Sequence, residues 1–178
     1  VADHQTRERL AKVAEQVLAE AKKSGASAAE AGVNISQGLS LTVRLGEVET
    51  VEHTRDKGIG VTVYFGQRTG SASTTDFSEN ALRETVRAAC TIAKFTAEDD
   101  CAGLADPARL AKDIPDLDLH HPWNPGTERA IELARAAESA ARGMDKRITN
   151  SEGGSLSTHE GLEVYGNCTG FLGTVATT

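Results

Sequence analysis

The sequence of 178 residues predicts an α+β fold, an antiparallel β-meander packed with about three helices. Three observations predict it. A stripe of apolar residues at helical spacing opens the chain, the period then switches to two, and short turn-forming pairs separate the alternating runs. Helical spacing returns twice further on.

Residues 6–24 place Leu10, Val13, Ala14, Val17, Leu18 and Ala21 on one helical face. Lys22 and Lys23 suit the negative end of the helix dipole, and Gly25 provides a stop. Next, Ala29, Ala31, Val33 and Ile35 alternate with polar or small residues, as do Leu39, Leu41, Val43 and Leu45. These read as two half-buried strands parted by a turn at Gln37-Gly38. Gly46-Glu47 reads as a second turn, into "VETVEHT" (48–54), whose alternation is imperfect. In "IGVTVYF" (59–65) Ile59, Val61, Val63 and Phe65 share a face, and Gly66-Gln67 has the glycine-first form of a two-residue hairpin turn. Its partner strand, "RTGSASTT", has unusually small side chains.

Ser78 is placed to cap a second helix, with Leu82, Val86, Ala89, Cys90 and Ala93 as its apolar stripe. Residues 99–126 hold all four prolines and read as a long ordered excursion with a short helical turn. Thr127 then caps an Ala-rich third helix closed by Gly143. Strand signals return in "SLSTH", a Glu160-Gly161 turn, "LEVYG" and "FLGTVA". A single unit over 1–178 is expected, with its last sheet continuing past the final residue. The absence of an initiator Met and the ending on "GTVATT" predict a fragment of a longer protein.

Composition narrows the function. With only seven aromatic residues (one Trp, two Tyr, four Phe), the core must be built from Ala, Val, Leu and Ile. A net charge of −7 without a Lys/Arg cluster lacks the footprint that phosphate backbones require, so nucleic acid is not an expected direct partner. No apolar run approaches the roughly 20 residues that span a bilayer. Three cysteines (Cys90, Cys101, Cys168) without CxxC spacing predict reduced thiols and a cytoplasmic protein.

Three patterns invite chemistry. The pair His159-Glu160 opens like a zinc-peptidase signature. A second His would have to follow at 163 or 164, where Glu and Val stand, and a strand would send the two side chains to opposite faces. A solvated hairpin tip is expected instead. In "PDLDLHHP" (115–122), Asp116, Asp118 and His120 would share a side if extended, but no further ligand stands out; an arm with Leu117 and Leu119 packed inward is expected. Ser71, Ser73 and Thr75 alternate on one strand face that could lie against a peptide, or pack closely as small residues do. No GxSxG elbow is present, and Cys90 reads as a small core residue. "SEGGS" (151–155) reads as a turn before a strand. No catalytic residue and no metal ligand is expected in this chain.

Several of these stretches together resemble the N-terminal region of the PmbA/TldD family, once described as modulators of DNA gyrase. They are "GEVETVEHTRDKGIGVTVYFGQRTGSASTTD" (46–76), "CAGLADP" (101–107), "PDLDLHHP" (115–122), "DKRITNSEGGS" (145–155) and "VYGN" (164–167), in the family's order. "CAGLADP" and "ITNSEGGS" are similar to the PmbA (TldE) branch.

The resemblance implies a cytoplasmic subunit of a TldD/TldE metalloprotease associated with processing a peptide-antibiotic precursor and degrading an antitoxin. In that family the HExxxH motif and the metal, zinc or another divalent ion, belong to the TldD branch. No HExxxH occurs here, so no catalytic residue carries over. The implied partners are a TldD-like catalytic subunit, peptide substrates and a second copy in a homo-oligomer. An unpaired edge of the 59–75 hairpin could take an extended peptide. Two alternatives stay open: a metallopeptidase with its ligands in the absent C-terminal part, and a gyrase-associated regulatory protein.

Overall fold

The computed structural model describes residues 3–178. In chain order it runs α1 (His4–Lys23), β1 (Ala28–Arg44), β2 (Glu47–Phe65), β3 (Arg68–Thr74), α2 (Glu79–Phe95), a 3-10 turn (Pro107–Arg109), α3 (Gly126–Gly143), β4 (Gly154–Asn167) and β5 (Leu172–Thr177). The strands form one five-stranded antiparallel sheet in the order β3-β2-β1-β4-β5. The expected α+β fold is therefore present. β1, β2 and β3 make the meander, β4 enters beside β1, and β5 folds back on β4.

Contacts group the chain into two compact units, and the long strands β1, β2 and β4 contribute to each. The first comprises residues through Ile35, Lys57–Asp118 and Leu162–Ala176. Its core joins the predicted stripe of α1 (Leu10, Val13, Ala14, Val17, Ala21) and that of α2 to alternate residues of β1, β2 and β4, among them Val33, Val61 and Val164. Asp3 caps α1 by accepting the Thr6 N–H at 3.0 Å, and Ser78 caps α2 as expected. The β2–β3 hairpin pairs Ile59 with Thr74 through Phe65 with Arg68. Gly70 of β3 lies so close to the backbone of Ala89 and Ala93 in α2 that an added Cβ would collide with both. On the opposite face of β1, the Glu30 carboxylate accepts the Tyr64 hydroxyl at 2.8 Å and the Tyr165 hydroxyl at 2.6 Å, one on each oxygen.

The second unit comprises Ser36–Asp56, Leu119–Gly161 and the last two residues. Leu39, Leu41 and Val43 of β1 pack against Ala130 and Ala134 of α3. The small residues of α3 permit a close approach, and Gly154 of β4 sits against the Ala134 carbonyl where no Cβ would fit. The β1–β2 turn places Leu45 at φ 52° and Gly46 at φ 85°, the left-handed pair that matches strand twist in a two-residue hairpin. Buried Glu138 of α3 accepts both turn N–H groups, from Leu45 at 2.7 Å and Gly46 at 2.9 Å.

Four local expectations are corrected. β1 is continuous through Gln37-Gly38, because Gln37 has a cross-strand partner and Gly38 admits the close Thr158 carbonyl. β4 likewise runs straight through Glu160-Gly161, so His159-Glu160 is mid-strand and not a solvated tip. Thr127 does not cap α3. The helix begins one residue earlier, and the Thr127 hydroxyl instead meets His53 Nε2 at 3.3 Å. Leu117 and Leu119 do not pack inward; they are 62% and 45% exposed. An Asx turn at Asp116 and a left-handed Asp118 (φ 50°) break the extended run that would have buried them.

Candidate functional site

The second unit contains a cleft of about 730 Å³. Its floor is the middle of the sheet, Gln37 to Leu39 of β1 with Thr158 to Glu160 of β4. His53, Thr54 and Arg55 of β2 line it too, with Pro122 to Asn124 and the start of α3 opposite. Trp123 stands 57% exposed among these lining residues.

The chemistry at its floor follows from strand phase. Along β1 the residues of Gln37's phase point into the helix-covered layers, as Val33, Leu39 and Leu41 do, and Glu160 is in phase with buried Leu162 on β4. A polar pair is thus carried to an inward-facing register, where it must be satisfied internally. Gln37 Nε2 donates to Glu160 Oε2 at 2.7 Å, and His120 Nε2 lies 2.9 Å from Glu160 Oε1. Facing a carboxylate, His120 Nε2 carries the proton and donates. The two side chains are 28% and 17% exposed. Burial pulls the Glu160 carboxyl up, but the bonds from His120 and Gln37 outweigh it and leave its pKa below the ordinary carboxylate value.

A metal does not fit these residues. Glu160 is engaged by His120 and Gln37, and the His120 nitrogen that faces it is a donor, not a free lone pair. Among the described residues no three His, Cys, Asp or Glu side chains cluster as ligands. Asp116 and Asp118 form a local turn and do not converge on one ion. In the same cleft the Thr127 hydroxyl meets His53 Nε2 and the Thr158 hydroxyl accepts the Leu39 N–H. The arrangement is equipped to hydrogen-bond a bound chain.

Of the residues singled out by sequence, the structure brings His120 and Glu160 together, and Glu160 lines the cleft. Ser71, Ser73 and Thr75 belong to the first unit, outside this cleft. The Ser71 hydroxyl meets that of Thr62 at 2.9 Å, Ser73 is on the exposed part of β3, and Thr75 follows the strand. Cys90 is buried in the core, as expected, and burial pushes its thiol pKa up; Cys101 and Cys168 are exposed, and all three are unbridged. Gln37, read from sequence only as part of a turn, is the third member of this contact; a polar residue at the inward phase between Ile35 and Leu39 is a readable signal. No helix is long and apolar enough to cross a membrane among the described residues.

Comparison with known proteins assigns the family. Residues 29–93 match the model of PmbA/TldA metallopeptidase domain 1, and residues 120–178 match that of the PmbA/TldA metallopeptidase central domain. Metalloprotease PmbA of Escherichia coli O157:H7 is 51% identical over 155 residues, which cover 87% of this chain and 34% of that protein. Among solved structures, a modulator of DNA gyrase from Bacteroides thetaiotaomicron aligns with a TM-score of 0.83 at 28% identity, over 93% of this chain and 38% of the other. TldE from Thermococcus kodakarensis shares the fold, with a TM-score of 0.74 at 18% identity, over 93% of this chain and 37% of that one. The chain thus spans about a third of the length of its relatives. Two domain models in the right order, half-identity to a PmbA protein and a shared fold agree: the chain belongs to the PmbA/TldD metallopeptidase family, on its PmbA side.

Proposed function

We propose that this chain is the N-terminal module of a non-catalytic, cytoplasmic subunit that pairs with a TldD-like catalytic subunit and helps admit unfolded peptides to it. One observation carries this: Glu160 is held by His120 and Gln37, and Gln37 and Glu160 line a cleft with other hydrogen-bonding groups. Family membership supplies the metallopeptidase context. In this proposal the divalent metal resides in the partner, and the cleft holds substrate by polar side chains and the Trp123 ring.

The test is co-expression of the full polypeptide with a TldD-like subunit, followed by native mass spectrometry and a peptidase assay of the complex and of each subunit. Association, with activity that needs the TldD-like subunit's metal motif, is the expected result. Metal-dependent cleavage by this polypeptide alone would overturn the proposal.

A further inference from the structure

The polar groups of the cleft in the second unit do not balance. Among the described residues its one carboxylate side chain is Glu160, with one oxygen held by Gln37 and the other by His120. Three of its threonines are engaged as well: Thr127 meets His53, Thr158 accepts the Leu39 N–H, and Thr178 accepts the His121 N–H. The Asn124 side-chain oxygen accepts the Gly126 N–H at 3.3 Å. Arg55 lines the same cleft, yet no carboxylate of the described residues lies within ion-pair distance of its guanidinium.

Strand phase aims Arg55 inward. The Thr54 hydroxyl lies 3.2 Å from where a Cβ on Gly38 would stand, on the sheet face away from Gln37 and Leu39. His53 and Arg55, on either side of Thr54, therefore share the face of Gln37, and the His53 contact with Thr127 of α3 agrees. Left over for a ligand are the Arg55 fork, the Asn124 amide N–H groups and the Trp123 indole N–H, against the neutral amide oxygen of Gln37. Donors that include a fixed cation are matched by a carboxylate, which meets a guanidinium through two parallel N–H···O bonds. The exposed Trp123 ring adds an apolar platform.

Resting on the peptide-admitting reading above, we propose that this cleft selects peptide segments that present a carboxylate, with Arg55 setting the preference. That carboxylate can be an Asp or Glu side chain or the peptide's own C-terminus, since a guanidinium recognises both alike.

Fluorescence anisotropy of the full polypeptide with labelled, unstructured peptides tests it. The peptides share one sequence apart from a central Glu, Gln or Lys, each made with a free and an amidated C-terminus. The carboxylate form is expected to bind roughly fivefold more tightly than its neutral counterpart, the scale of a partly exposed ion pair. An advantage of Glu over Gln that survives amidation assigns the side chain, and one confined to the free C-terminus assigns the terminus; either supports the proposal. R55Q removes the preference. R55E inverts it, toward the Lys peptide or the amidated terminus respectively, which a misfolded variant cannot do. Equal binding of all the peptides by the parent would overturn this inference while leaving peptide admission intact. So would a preference that R55E leaves unchanged. Binding of none of them would overturn both.

Discussion

His120 and Glu160 meet at 2.9 Å, Nε2 to Oε1, although 40 residues apart in the chain. With Gln37 on the other carboxylate oxygen, they tie the segment that leads into α3 to the middle of β1 and β4. Glu160's pKa is depressed, so its stabilisation is fully present above its ordinary value of 4.5 and is lost as pH falls through the lowered folded value. E160Q should cost about 1–3 kcal/mol at neutral pH, because two donors lose a charged acceptor. In urea melts at pH 7 and at progressively lower pH, the parent should lose this advantage below pH 4.5 and converge toward the variant.

The Glu30 carboxylate bridges the only two tyrosines of the chain, so the whole tyrosinate absorbance reports on it. Burial, the bond to Glu30 and its charge push Tyr64 up to about 12, and burial followed by the same bond raises Tyr165. Raised phenol pKa values give stability that is complete below the ordinary value of 10 and lost as pH climbs toward about 12. Alkaline titration should show the tyrosinate rise displaced upward from 10 in the parent, with the Tyr64 step at about 12. In E30Q the Tyr64 step should move down, because the charge is gone while the burial remains.

Gly70 and Gly154 set how closely α2 and α3 approach the sheet, since a Cβ at either would meet helix backbone. G70A and G154A should each lose about 1–3 kcal/mol in chemical denaturation, as overpacking does. Gly60, with no atom within 4 Å of its missing Cβ, serves as the control.

Leu45 holds a left-handed φ of 52° while 48% exposed, so it contributes backbone strain and little burial. L45N should raise stability by about 1 kcal/mol, because Asn tolerates this conformation. The same melt should show E138A destabilised, since the Leu45 and Gly46 N–H groups lose their shared acceptor.

The helices and the 59–75 hairpin were legible because their periods and caps are local properties: the α1 stripe and Ser78 needed no tertiary information. Gln37-Gly38 and Glu160-Gly161 misled for one reason. Glycine beside a polar residue is also the signature of a turn, and only the neighbouring strand shows that Gly38 admits the Thr158 carbonyl and that Gln37 and Glu160 bond to each other. The cleft was half legible. His120 and Glu160 each drew notice as parts of separate short motifs, but their meeting depends on where the 99–126 excursion returns to the sheet, which no local pattern encodes. Leu117 and Leu119 failed similarly, because the turn at Asp116 undoes the alternation their spacing implied.

In the proposed reading the His120-Glu160-Gln37 contacts brace the fold and hold no metal. The most direct measurement is elemental analysis of the purified chain, tag removed, after dialysis against zinc and then against metal-free buffer. No stoichiometric metal is expected, with the same result for H120A and E160Q. A tightly held zinc in stoichiometric amount, lost in either variant, would contradict it and make the His120-Glu160 pair a metal site.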